Sequence, residues 1–329
     1  MPLDTFGREI DYLRISVIDH CNLRCVYCMP LSGLQFARPT DLLTPVEIER
    51  VARAAIAVGF RKIRLTGGEP TLRPDLLEII ERLAQLTPLR DLAMTTNGIL
   101  LPRLAQRLAA AGLRRINVHI DSLHPGRLQR LMRFGTLEEI WAGIEAAEAA
   151  GLRPIKLNVV VTRGYNEEDV VDLARLSIER DWHVRFIELM PLGGGECARL
   201  AVSHYVSNED TRRRIEAELG PLALLPDQHP ADESQNFRLA IGRGVVGLIS
   251  PVSRPYCGNC NRMRLTADGK FHLCLLNDDE IDLRSALRNG ATDDLIGSLL
   301  LRAVAAKPTG HHLERGVSTE ERSMYQLGG

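Results

Sequence analysis

The sequence predicts an α/β fold, a partial (β/α)6 barrel of the TIM type followed by a smaller C-terminal α+β domain. Three observations carry this expectation. Between residue 13 and about residue 190, short apolar runs alternate with longer segments of helical period. Punctuation agrees: Pro45 and Pro74 stand where a first helical turn tolerates proline, and Gly112 and Gly151 follow helical segments as C-cap glycines do. After Met190 the pattern breaks at Pro191-Leu-Gly-Gly-Gly195 and becomes irregular and polar. The expected domains are therefore 1–192 and 193–329.

Taken in order, strands are expected at 13–18, 62–65, 91–95, 115–120, 155–161 and 183–189, with helices at 45–58, 74–86, 101–111, 137–150 and 167–180 between them. A helix between consecutive strands implies a parallel sheet with right-handed crossovers. Functional groups then gather where the strands end. Those ends read as a cysteine loop at 21–28, Thr66-Gly-Gly-Glu-Pro70, Thr95-Thr-Asn-Gly98, Asp121-Ser122, the segment 158–162, and Glu188-Leu-Met190. Turn chemistry explains each singly, and all six together less well. Beyond the boundary a helix is expected at 208–219, a turn-rich patch at 226–235, and one or two strands within 238–249. The end, from Lys307 to Gly328-Gly329, is polar and reads as a flexible tail.

Composition bounds the partners. With 329 residues, 45% of them hydrophobic and 25% charged, a sizeable core is available. A net charge of −1 argues against nucleic acid, whose binding needs many cationic contacts. Any phosphate must be read by a local cluster of cations. These are nearly all arginines, with Lys62, Lys156, Lys270 and Lys307 the only lysines. No run approaches a membrane span and no leader pattern opens the chain, so a cytoplasmic protein is expected.

The cysteines fall into two groups of three with one apart. Cys21, Cys25 and Cys28 follow the first apolar run, Cys257, Cys260 and Cys274 lie in the second domain, and Cys197 stands alone as an ordinary thiol. This is metal-ligand clustering in a reducing compartment rather than a disulfide framework. Three close thiolates can hold three corners of a [4Fe–4S] cubane and leave one iron without a protein ligand. Zinc is the rival, with His20 as a fourth ligand at the first group or His272 at the second. Eight residues holding three thiolates fit the paired zinc pattern poorly. At the second group spacing alone leaves both metals open.

Cys21-x3-Cys25-x2-Cys28, with Tyr27 before the last cysteine, resembles the signature of the radical S-adenosylmethionine (SAM) enzymes. Two three-cysteine groups flanking a βα array, with Arg64-Leu-Thr-Gly-Gly-Glu-Pro-Thr-Leu-Arg73, Arg185-Phe-Ile-Glu-Leu-Met190, Cys257-x2-Cys-Asn-Arg-Met-Arg264 and a terminal Gly-Gly, resemble the GTP 3′,8-cyclases of molybdenum cofactor biosynthesis. The resemblance covers almost the whole chain. It implies a partial barrel of the radical SAM type and two [4Fe–4S] clusters, one on each cysteine triplet. It further implies SAM bound near Tyr27, Gly68, Glu69, His119 and Met190, and GTP contacted by Arg14, Arg64, Thr95, Lys156, Arg262, Met263 and Arg264, with Lys62 a further candidate. Many family members carry serine where His119 stands. The implied reaction converts GTP to (8S)-3′,8-cyclo-7,8-dihydro-GTP. It needs an electron donor, delivers its product to cyclic pyranopterin monophosphate synthase, and leaves a homodimer open. A radical SAM peptide-modifying enzyme and a zinc-stabilised binding module without catalysis are the alternatives.

Overall fold

In the computed structural model the described residues are 1–226, 228–311, 313 and 319–328. The array starts with β1 (Tyr12–Ser16), α1 (Pro45–Ala57), β2 (Lys62–Thr66), α2 (Leu76–Ala84), β3 (Asp91–Thr96), α3 (Leu101–Ala110) and β4 (Arg115–His119). It continues with α4 (Pro125–Met132), α5 (Leu137–Ala149), β5 (Ile155–Val161), α6 (Val170–Glu179) and β6 (His183–Glu188). Local chemistry starts the helices as expected. Thr44 and Glu47 form a capping box ahead of Pro45 in α1, and Thr136 and Glu139 do the same for α5. Ile48, Val51, Ala52 and Ala55 then recur at helical spacing on the buried face of α1. Fully burying each branched side chain stabilises by roughly 1.5–3 kcal/mol.

The rest of the chain forms α7 (Gly195–Ser203), α8 (Asn208–Leu219), β7 (Leu222–Leu224), β8 (Gln235–Leu239), β9 (Val245–Ile249), β10 (Arg262–Leu265), β11 (Lys270–His272), β12 (Glu280–Asp282), α9 (Leu283–Arg288), α10 (Asp293–Ala305) and α11 (Met324–Leu327). One 12-stranded sheet runs β12-β11-β10-β1-β2-β3-β4-β5-β6-β9-β8-β7. The six expected strands are its middle. Both β10, beside β1, and β9, beside β6, extend it in parallel, and the outermost pairs are antiparallel. The C-terminal segment thus adds strands to both edges of the barrel sheet.

Strand period sorts the side chains. Leu13, Ile15, Ile63, Leu65, Met94, Val118, Leu157 and Phe186 join the apolar core under the helices. Their neighbours Arg14, Arg64, Thr95, His119, Asn158 and Ile187 line a cavity on the opposite face.

The end of the chain differs from expectation. Residues 319–328 do not form a loose tail: Ser323 and Gln326 form a capping box for α11, and Tyr325 and Leu327 are buried. Two apolar anchors in so short a helix outweigh the polar composition. Gly329 lies outside the described residues. No described helix is long and apolar enough to cross a membrane.

Candidate active site

All six clustered cysteines line one cavity at the carboxyl ends of the strands. The first triplet sits on the loop after β1, where Cys28 N and Met29 N both donate to Cys25 O at 3.0 Å and Leu23 N approaches Cys21 Sγ at 3.3 Å. Burial pushes the Cys21 thiol up to about 12 and the Cys28 thiol well above its ordinary value, with neighbouring thiols adding to both. Thiolates in so dry a loop need bound positive charge to be stable. The second triplet differs. Burial opposes ionisation of Cys260, but Arg262 and Lys307 outweigh it and bring the thiol down to about 6. Lys307 is held there by the Arg262 and Leu273 carbonyls at 2.9 and 2.8 Å.

Three described histidines lie near the triplets. His272 is fully buried, faces Glu280 at 3.9 Å and is not part of the cavity wall. Although His311 lines the cavity, its Nε2 lies 2.9 Å from Pro251 O and its Nδ1 accepts from Leu313 N. His20 stacks on Phe36 and pairs with Asp19. Among the described residues no three His, Cys, Asp or Glu side chains are grouped as a single metal ion needs. Three thiols of each set opening on a common cavity fit a polynuclear cluster with one open corner.

Gly67 and Gly68 have a structural reason that spacing could not reveal. A Cβ on Gly68 would lie 2.2 Å from His20 O, and one on Gly67 would lie 2.4 Å from Ile18 O. The glycines let the β2 loop lie against the cysteine loop, tied by Gly68 N to Ile18 O and Glu69 N to His20 O, both 2.7 Å. Glu69 lines the cavity, yet its carboxylate accepts from Thr71 N, Thr71 Oγ1, Thr96 Oγ1 and Asn97 N. Four donors saturate a carboxylate. It ties the ends of β2 and β3 together.

Nearby, Tyr27 Oη donates to Asp121 Oδ2 at 2.6 Å, and His119 Nε2 lies 2.8 Å from Tyr27 Oη and 3.0 Å from Asp121. Burial alone would lower the His119 pKa, but Asp121 raises it well above the usual value. Met190, just past β6, completes this wall.

Across the cavity stand the arginines. Register sets Arg264, Arg14 and Arg64 side by side on β10, β1 and β2. Arg185 joins them from β6, where it donates to Asn158 Oδ1 at 2.6 and 3.0 Å. In the orientation that satisfies both guanidinium groups, Asn117 Oδ1 accepts from Arg64 at 2.8 Å and Arg185 at 3.0 Å. Arg14, Arg64, Arg185 and Arg262 surround the Glu233 carboxylate.

The Radical SAM superfamily model matches residues 15–177 and the Molybdenum Cofactor Synthesis C model residues 182–313. A protein of Moorella thermoacetica named GTP 3′,8-cyclase is 46% identical over 326 residues, 99% of each chain. One of Heliobacterium modesticaldum with the same name is 44% identical over 332 residues, 99% of this chain and 100% of its own. The chain belongs to the GTP 3′,8-cyclase family. Its barrel is of the radical SAM type: the solved structure of Streptococcus suis SuiB bound to S-adenosylmethionine aligns with a TM-score of 0.61 at 15% identity, covering 88% of this chain and 68% of that one.

Of the residues that resemblance to the GTP 3′,8-cyclases singles out, Arg14, Tyr27, Arg64, Gly68, Glu69, Thr95, His119, Met190, Arg262 and Arg264 share the cavity wall with the six cysteines. Three others do not reach it. Lys62 pairs with Asp11 at 3.4 Å near the start of β2. Met263 is fully buried in the apolar core, because alternation along β10 turns it away from its arginine neighbours. Lys156 lies behind the arginines on β5, where burial and then Arg185, Arg115 and Arg64 push it down to about 7. Cys197 is buried on α7 and does not line the cavity. Site-specific expectation missed Arg185, Asn117, Asn158 and Glu233. For the first three the signal was polar residues at period two inside apolar strands. Glu233 sits in a turn-rich segment with no pattern to mark it.

Proposed function

We propose that this chain is a GTP 3′,8-cyclase, a radical SAM lyase that converts GTP to (8S)-3′,8-cyclo-7,8-dihydro-GTP in the first step of molybdenum cofactor biosynthesis. The observation that carries the reading is the meeting of two incomplete cysteine triplets and a buried arginine cradle on one cavity. Cys21, Cys25 and Cys28 would hold one [4Fe–4S] cluster, and Cys257, Cys260 and Cys274 the other. Held there, the first cluster with SAM would supply radical chemistry at the ribose C3′ of GTP, and the second would supply a binding position for the guanine.

The protein's own groups bind, orient and shield. The loop of Gly67, Gly68 and Glu69 presents backbone carbonyls to the SAM amino group, with the Glu69 carboxylate fixing the loop's shape. Tyr27, His119 and Met190 form the adenosyl side. Arg14, Arg64, Arg262 and Arg264, with Arg185 added, bind the triphosphate by charge-assisted, forked hydrogen bonds. Thr95 lines the same cavity, while Lys156 adds positive charge next to the arginines. Of the remaining candidates, Lys62 lies at the outer end of β2 and Met263 supports β10 from the core. An external one-electron donor is needed, and cyclic pyranopterin monophosphate synthase takes the product.

Anaerobic incubation of the reduced, reconstituted protein with SAM and GTP tests this. The expected result is 5′-deoxyadenosine together with a GTP-derived pterin precursor. Formation of 5′-deoxyadenosine only with a peptide or another substrate would defeat the cyclase reading. Stoichiometric zinc with no iron chromophore would defeat both.

A further inference from the structure

The arginine cradle already holds an anion from the protein itself. Arg14 Nη2 lies 2.5 Å and Arg262 Nη1 3.2 Å from Glu233 Oε2, while Arg185 Nη1 and Arg64 Nη1 lie 3.4 and 3.6 Å from Oε1. These guanidinium groups come from four different strands, β1, β10, β6 and β2. Burial alone would raise the Glu233 pKa, but the four arginines hold it well below the ordinary carboxylate range. The match is nevertheless unequal: one carboxylate faces four cations, and Arg14 Nε, Arg64 Nε and Arg262 Nη2 are buried donors with no hydrogen-bond partner. Buried guanidinium donors left unpaired are costly, so the cradle has capacity for more negative charge than Glu233 brings.

We propose that Glu233 is a resident stand-in for substrate phosphate, which occupies the polyphosphate end of the site and is exchanged for the phosphates of the incoming nucleotide. This rests on the reading of the cradle as the triphosphate site. Geometry favours exchange over joint occupation: Arg14 Nη2 and Arg262 Nη1, which phosphate oxygens would use, already point at Glu233 Oε2.

The chain around Glu233 permits the move. Glu233 lies just before β8, in an irregular segment whose ends are tied by Gln228 Oε1 accepting from Asn236 N at 2.7 Å and Gln228 Nε2 donating to Leu225 O at 2.8 Å. Between those ties the arginines provide the hold on the Glu233 side chain, with Arg262 also reaching Ala231 O at 3.3 Å. The segment enters the barrel because Gly247 has no side chain: a Cβ there would lie 2.4 Å from Ser234 Oγ and 2.9 Å from Arg185 Cγ. Release of Glu233 breaks no strand pairing. A tethered competitor acts at high effective concentration, so the site selects against ligands too weakly charged to displace it. A nucleoside without phosphates does not reach the cradle and meets no competition.

The test compares anaerobically reconstituted wild type with Glu233→Gln in calorimetric titrations with GTP, inorganic tripolyphosphate and guanosine. Glu233→Gln is expected to bind GTP and tripolyphosphate at least about tenfold more tightly than wild type, and guanosine within about twofold. Equal or weaker binding of GTP and tripolyphosphate by the variant would overturn the proposal and make Glu233 a permanent strut. A second measurement needs no variant. In the wild type, tripolyphosphate should speed amide hydrogen exchange in residues 229–234, and unchanged or slower exchange would overturn it. A wild type that binds tripolyphosphate but not GTP would contradict the GTP reading alone and leave the exchange intact.

Discussion

Lys156 connects a single side chain to the pH dependence of the whole site. Burial and three neighbouring arginines push its pKa down to about 7. Phosphate charge arriving in front of those arginines favours the protonated form, so the complex binds more protons than its parts. Two outcomes are expected. GTP binding takes up protons near pH 7–8, measured by calorimetry in two buffers of different ionisation enthalpy, and affinity falls as pH rises above about 7. Proton release on binding would contradict this assignment. Glu69 makes a second prediction at this scale. With four donors on its carboxylate, Glu69→Gln turns an amide N–H₂ toward hydrogen-bond donors and should lower stability by about 2–3 kcal/mol, read from denaturant midpoints. Stability unchanged within error would show that the carboxylate ties nothing together.

Among the elements, the cysteine loop and the glycine loop behave as one unit because their backbones touch. Gly68→Ala would place a methyl 2.2 Å from His20 O, and backbone cannot yield as a flexible side chain does. The first triplet should then lose its cluster while the second keeps its own, so iron after reconstitution falls from about eight to about four per chain. Iron unchanged at about eight would contradict the coupling. The strands and helices that flank these loops were legible because each combines a period with a terminator. The expected helix at 208–219 coincides with α8, capped by Ser207, and the strand at 155–161 with β5. Less legible were α4 and α7. The first is 8 residues long and the second begins within a glycine run, so neither shows a long apolar stripe.

For the molecule as a whole, long-range pairing was the hidden part. Nothing local in Arg262-Met-Arg264 says that it lies beside Tyr12-Leu-Arg14, yet that parallel pairing brings the second triplet to the cavity of the first. The grouping of six cysteines into two triplets was legible from spacing, whereas the polar face containing Asn117, Asn158 and Arg185 becomes visible only when strands are set in register. The chain end shows the same dependence. Arg264 Nη1 donates to Gly328 O at 2.6 Å, and a Cβ on Gly328 would lie 2.5 Å from Thr66 Cγ2, so Gly328 is packed between β10 and β2 side chains.

The most direct test of two open triplets facing one cavity is an anomalous-scattering crystal structure of the reconstituted protein with SAM and GTP. Two groups of about four irons are expected on opposite walls, each held by three cysteines, with SAM on the Cys21, Cys25 and Cys28 group and the guanine on the other. A single zinc at either triplet, a fourth side chain closing a cluster, or GTP bound outside the arginine cradle would contradict it.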